Sequence, residues 1–178
     1  MDVNTFWHLI DRTRTTSNGY ISKQANLLIE ELVQLSVDEI LTYDTIMEAM
    51  LEKAYDAALW DAADIIGCGC GDDGFSDFRA WLIAQGKEVY EKAIADPESL
   101  VDLIDVNKDA QEGALLYVVI TAYKQKMGQD IPPRDPKDVY SPQLKGTHWP
   151  EEERNARFPK LAAKFGDCEK RWEKWLHS

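Results

Sequence analysis

The stretch Ser36-Val37-Asp38-Glu39 starts the pattern that most constrains this chain. A serine followed three residues later by a glutamate lets each side chain bond the other's backbone N–H, which answers two of the donors that a helix start leaves free. Leu35 before the cap and Ile40 at the fourth helical position are placed to act as a hydrophobic staple. From there Ile40, Tyr43, Met47, Met50 and Ala54 recur at alternating steps of three and four, and Leu41, Leu51, Tyr55 and Leu59 widen the stripe. A face that broad belongs in a packed helical core.

Similar signals recur along the chain. Asp2 can cap a first helix carrying Phe6, Trp7 and Ile10, and Asn18-Gly19 is a turn signal that ends it. A second helix, from about Ser22 to Leu35, would bury Ala25, Leu28, Ile29, Leu32 and Leu35. Gly67-Cys68-Gly69-Cys70-Gly71-Asp72-Asp73-Gly74 is too rich in glycine to continue a helix cheaply, so a loop is expected there. Phe75, Phe78, Trp81 and Leu82 restart the helical period, and Gly86 interrupts it. Asp96-Pro97 sets a capping carboxylate before a proline whose missing N–H costs nothing at a helix start. Residues 109–127 include the strand-like Tyr117-Val118-Val119-Ile120-Thr121, but their length favours a buried helix. Gly128 to Pro150 holds Pro132, Pro133, Pro136, Pro142 and Pro150 and should be extended and irregular. Beyond it Trp149, Phe158, Leu161, Phe165, Trp172, Trp175 and Leu176 would be a liability if exposed. The expectation is an all-α, single-domain multi-helix bundle. Residues 1–127 form its core, and the Pro-rich arm 128–178 ends in a helix that packs back on that core.

Charge bears on partners. The chain carries 20 basic and 32 acidic side chains, a net of −12, which disfavours binding to nucleic acid or to anionic membranes. Residues 37–112 alone hold 19 acidic and 5 basic residues, whereas residues 113–178 are net +3. A basic arm folding against the acidic middle, or a basic protein partner binding there, follows from that asymmetry. The longest unbroken apolar run, Ala114 to Ile120, is far short of the roughly 20 residues that span a bilayer. The N-terminus lacks the basic and apolar regions of a signal peptide, and three cysteines do not make a disulfide framework. A cytoplasmic protein with reduced thiols is the expectation.

Candidates for chemistry gather around the glycine-rich stretch. Cys68 and Cys70, with Cys168 and one of His8, His148 or His177, have the ligand types of a zinc site, but their spacing matches no zinc knuckle. Asp61, Asp64, Asp72, Asp73 and Asp77 supply oxygen ligands for a hard cation, yet they do not follow the EF-hand register. The structural alternative is that Asp72 or Asp73 caps a helix beginning near Gly74 and that Asp77 or another carboxylate pairs with Arg79. A phosphate-cradling loop is disfavoured by two aspartates at the critical turn, and no nucleotide-binding or nucleophile-elbow motif is present. His8 reads as a helix-surface histidine. No cofactor is implied.

The segment Leu59-Trp60-Asp61-Ala62-Ala63-Asp64-Ile65-Ile66-Gly67, followed by Asp72-Asp73-Gly74-Phe75-Ser76-Asp77-Phe78-Arg79-Ala80-Trp81-Leu82-Ile83-Ala84-Gln85-Gly86-Lys87-Glu88-Val89, resembles the bacterial domain of unknown function 4240 family. Phe6-Trp7-His8-Leu9-Ile10 and Ala95-Asp96-Pro97-Glu98-Ser99-Leu100 are similar to the same pattern, so the resemblance spans roughly residues 1–127. It implies a compact, soluble bacterial domain with no nameable activity. It also marks Asp72, Asp73, Asp77, Arg79 and Trp81 as the place to look for a shared site. The Cys68-Gly69-Cys70 variant departs from the family's loop and weakens a metal site at Cys68, Cys70 and Asp64. Two functions remain in view. One is a nonenzymatic binding or regulatory protein, antitoxin-like or immunity-type, that engages a basic partner. The other is a small enzyme or ligand binder using Asp72, Asp73, Asp77 and Arg79.

Overall fold

The computed structural model describes residues 1–105, 110–133 and 143–176, and these form ten α-helices and two 3-10 segments with no strand. The helices are α1 (Val3–Ser17), α2 (Ile21–Gln34), α3 (Val37–Lys53), α4 (Ala57–Gly67), α5 (Asp72–Ala84), α6 (Lys87–Ala95), α7 (Val118–Met127), α8 (Glu151–Arg157), α9 (Pro159–Phe165) and α10 (Cys168–Leu176). The chain is an all-α single-domain bundle. Asp2 caps α1 through the Thr5 N–H, and Asn18 ends it in the left-handed region. Ser36 and Glu39 complete their reciprocal capping box at the start of α3.

Helix α5 is the axis of the fold. Phe78 through Ala84 are buried without interruption, so this helix has no solvent face along its second half and must be surrounded. It packs against α1, α2, α3, α4 and α6. Gln24 from α2 reaches in to donate its amide to the Ala84 and Ile10 carbonyls, at 3.1 and 3.3 Å. Gly86, with φ 93°, turns the chain out of α5 into α6, where Tyr90 is fully buried and donates to the Met50 carbonyl at 2.6 Å.

The C-terminal arm docks on α4. Phe158, Leu161 and Phe165 join the core at 6%, 0% and 0% exposure. Upstream, Lys145 exchanges backbone hydrogen bonds with the α3–α4 junction, accepting from Ala57 N–H at 2.8 Å and donating to the Tyr55 carbonyl at 3.1 Å. Lys164 Nζ donates to the Val101 carbonyl and the Lys160 backbone N–H to Glu98.

Several sequence expectations need correction. The broad stripe from Ile40 to Leu59 is not one helix, because Asp56 caps a new one by accepting from Ala58 and Leu59 N–H. The glycine-rich loop is only residues 68–71: Gly67 closes α4, and α5 begins at Asp72 rather than Gly74. Its N-cap is Gly71, and neither Asp72 nor Asp73 caps it. Within residues 109–127 the helix starts late, as the 3-10 segment Ala114–Tyr117 followed by α7, and Tyr117 and Ile120 are exposed. Asp96 and Pro97 open a 3-10 segment, Pro97–Asp102, rather than an α-helix. Cys68 and Cys168 form a disulfide, so the reading of three reduced thiols is wrong for two of them. Residue 109, Pro136, Pro142, His177 and the side chains of Trp172, Trp175 and Leu176 lie outside what is described.

Candidate functional site

Asp72, Asp73, Arg79 and Trp81, which the sequence singled out as one cluster, do not converge. Asp72 and Asp73 are exposed in the first turn of α5, where negative charge suits the helix dipole. Arg79 is 9% exposed and turned into the core, and among the described residues no carboxylate pairs with it. Its Nη1 donates to the Leu51 carbonyl at 2.8 Å, its Nε to Phe75 at 3.3 Å and its Nη2 to Ser76 Oγ at 3.1 Å. The guanidinium lies 4.8 Å from the Tyr55 ring and 5.2 Å from that of Phe75. The expected Asp77–Arg79 pair is therefore absent among the described residues, and Asp77 lies instead against Gly113, where an added Cβ would meet its carboxylate. Trp81 is a core residue beside Phe78.

The loop glycines have a structural use. The Gln111 side chain fills the space beside Gly67 and Gly74, where an added Cβ would collide with its amide. Its Nε2 donates to the Gly69 carbonyl at 3.1 Å. The zinc-type set dissolves too. Cys68 and Cys168 are bonded to each other, His8 is exposed on α1, and the described residues hold no cluster of three metal-ligating side chains. Cys70 is free, but burial first, then the charges of Asp64 and Asp77, push its thiol up to about 12. A thiol held neutral in this way is a poor nucleophile and a poor metal ligand.

A different group does converge, where the arm crosses α4. Asp61 and Asp64 are three residues apart and so share a helix face. Asp61 is 1% exposed and accepts His148 Nδ1 at 2.8 Å on one oxygen and the Trp149 backbone N–H at 3.1 Å on the other. Since a carboxylate only accepts, the hydrogen of this bond sits on Nδ1. Asp64 receives the Cys70 N–H at 2.9 Å and Arg154 Nη1 at 2.5 Å. Trp60 stacks on Phe75 at 4.5 Å, meets the His148 ring edge-on and donates its indole N–H to the Cys70 carbonyl at 2.7 Å. Trp60, Asp61, Asp64, Cys70, His148, Trp149 and Arg154 line a cleft of about 230 Å³. Asp61, Asp64, Cys70 and His148 were visible as candidate residue types. Their grouping with Arg154 and Trp149 was not, because 87 to 90 residues separate the partners.

A family model described as "Protein of unknown function (DUF4240)" matches residues 1–125 of the 178-residue chain. The chain belongs to the DUF4240 family. No curated protein and no solved structure matches it. The boundary of the DUF4240 match divides the cleft: Trp60, Asp61, Asp64 and Cys70 lie inside it, and His148, Trp149 and Arg154 come from the arm beyond it. No helix among the described residues is long and apolar enough to cross a membrane.

Proposed function

We propose that this DUF4240 protein is a nonenzymatic binding or regulatory module, of the immunity type, that meets a basic protein partner with its acidic surface. The observation that carries this reading is the inward turn of Arg79. With the cluster's one cation spent on carbonyls and aromatic faces, Asp72 and Asp73 present negative charge without the anion-binding group that an acid–base site would need. The arm's own cations reach part of the acidic middle, through Arg154 on Asp64, which is the kind of contact a basic partner would make. The test is cross-linking in extracts of the source cell, comparing the wild type with an Asp72→Asn/Asp73→Asn variant. A basic partner captured at low salt and lost in the variant supports the reading; partners indifferent to both the variant and salt overturn it.

The cleft favours a second reading, a small enzyme or ligand binder at the same end of the molecule. Its support is the Asp61–His148 pair, in which a buried carboxylate orients an imidazole that is 44% exposed. A ligand screen by thermal shift decides it. A stabilising ligand whose effect His148→Ala abolishes favours this reading, and none among metals, nucleotides and small acids counts against it.

A further inference from the structure

Cys68 and Cys168 join two segments 100 residues apart. Cys68 is the left-handed residue, φ 54°, that ends α4, and Cys168 is the first residue of α10. Both are only partly buried, and their neighbours Gly67, Gly69, Gly166 and Asp167 are exposed, so a reductant in solution can reach the bond. Arg171, one turn into α10, sets Nη1 3.0 Å from Cys68 Sγ and donates to the Ile66 and Phe165 carbonyls at 2.8 and 3.1 Å. The guanidinium beside Cys68 Sγ favours its thiolate, and a thiol that ionises readily is a good leaving group, so attack on Cys168 Sγ expels the stabilised partner.

The described ties of the arm differ in kind along its length. Helices α8 and α9 are held by Phe158, Leu161 and Phe165 in the core and by Arg154 on Asp64. Helix α10, among the described residues, is tied to the end of α4 by the disulfide and the Arg171 fan. The tie sits two residues from Cys70, whose backbone holds Trp60 and Asp64 in the cleft.

We propose that the Cys68–Cys168 disulfide is a redox-responsive staple, and that a dithiol reductant opens it and loosens α10, leaving Arg171 as its described tie to the end of α4 while the rest of the fold stays intact. One thiolate of the dithiol attacks a protein sulfur, forms a mixed disulfide and expels the other cysteine as a thiolate. The second thiol then resolves the mixed disulfide, so the protein gains two electrons and two protons and the dithiol leaves as a disulfide. Cys70, held neutral, stays outside the exchange. This inference stands whichever function holds.

The test uses the full chain after mild oxidation with oxidised glutathione, before and after dithiothreitol. Alkylation under denaturing conditions should modify one cysteine in the oxidised protein and all three after reduction. Limited trypsin cleavage after Lys170 and Arg171 should quicken by roughly tenfold on reduction, with the far-ultraviolet circular dichroism unchanged. Cys168→Ser should be cleaved at the fast rate with or without reductant, and Cys70→Ser should respond as the wild type does. Three free thiols in the oxidised sample, an unchanged cleavage rate after reduction, or cleavage spreading along the whole chain would each overturn the proposal.

Discussion

Arg79→Ala separates a structural guanidinium from a functional one. Leu51 is in the last turn of α3, so its carbonyl has no partner within that helix, and Arg79 Nη1 supplies one at 2.8 Å against the negative end of the helix dipole. A hydrogen bond from a charged donor is worth about 1.5–3 kcal/mol, and the guanidinium between Tyr55 and Phe75 adds about 0.5–2 kcal/mol. Burial opposes this, because it disfavours the charged form and lowers the pKa of Arg79. The expected net loss on truncation is about 3 kcal/mol, a fall of roughly 6–12 °C in Tm for a chain of this size. Arg79→Lys should recover a minority of it, since one ammonium cannot bond Leu51 and Ser76 together while lying across two rings. Urea denaturation and calorimetry read both variants. An Arg79→Ala protein within about 0.5 kcal/mol of the wild type would refute the structural assignment and return Arg79 to the list of functional candidates.

Three further outcomes follow from the same geometry. Asp61→Ala strips acceptors from His148 and the Trp149 N–H and should cost about 2–3 kcal/mol in urea denaturation. Hydrogen exchange should quicken first in the arm around residues 145–158, and an unaltered arm would contradict its role as the clamp. Cys70 keeps its proton in the folded state up to about 12, whereas the unfolded thiol loses it near 9.0. The stability this provides is therefore complete below pH 9.0 and falls as pH rises through that window, and the fall should be shallower in Cys70→Ser. Burial raises Tyr43 and Tyr90 with the same sign at higher pH, so the comparison with the variant isolates the thiol. Gly74→Ala in a Gln111→Ala background should stabilise by about 0.5–1 kcal/mol through helix propensity, and by less in the wild type, where the new methyl meets the Gln111 amide. Additive effects in a double-mutant cycle would rule out that contact.

The sequence by itself determined what depends on neighbours within about a turn. The Ser36–Glu39 box, the Asp2 cap, the Asn18-Gly19 stop and the apolar period that buries Ile40, Tyr43 and Met47 are local, and each is realised. Asp56 was an overlooked cap of the same local kind. It was hidden because the apolar stripe runs on past it, and the chain breaks there to let Lys145 pair with the α3–α4 junction. Asp72, Asp73, Asp77, Arg79 and Trp81 are close in sequence, and Asp73, Asp77 and Trp81 recur at helical spacing, but α5 runs from an exposed first turn into the core, so Asp72 and Asp73 face solvent while Arg79 and Trp81 are packed inside. The Asp61–His148 pair, the Arg154–Asp64 pair and the Cys68–Cys168 bond join positions 87 to 100 residues apart. They exist only because Phe158, Leu161 and Phe165 had apolar surface to bury against α4. That burial is non-directional and blind to sequence separation, which is why only the tertiary structure decided where the cleft lies and which cysteines meet.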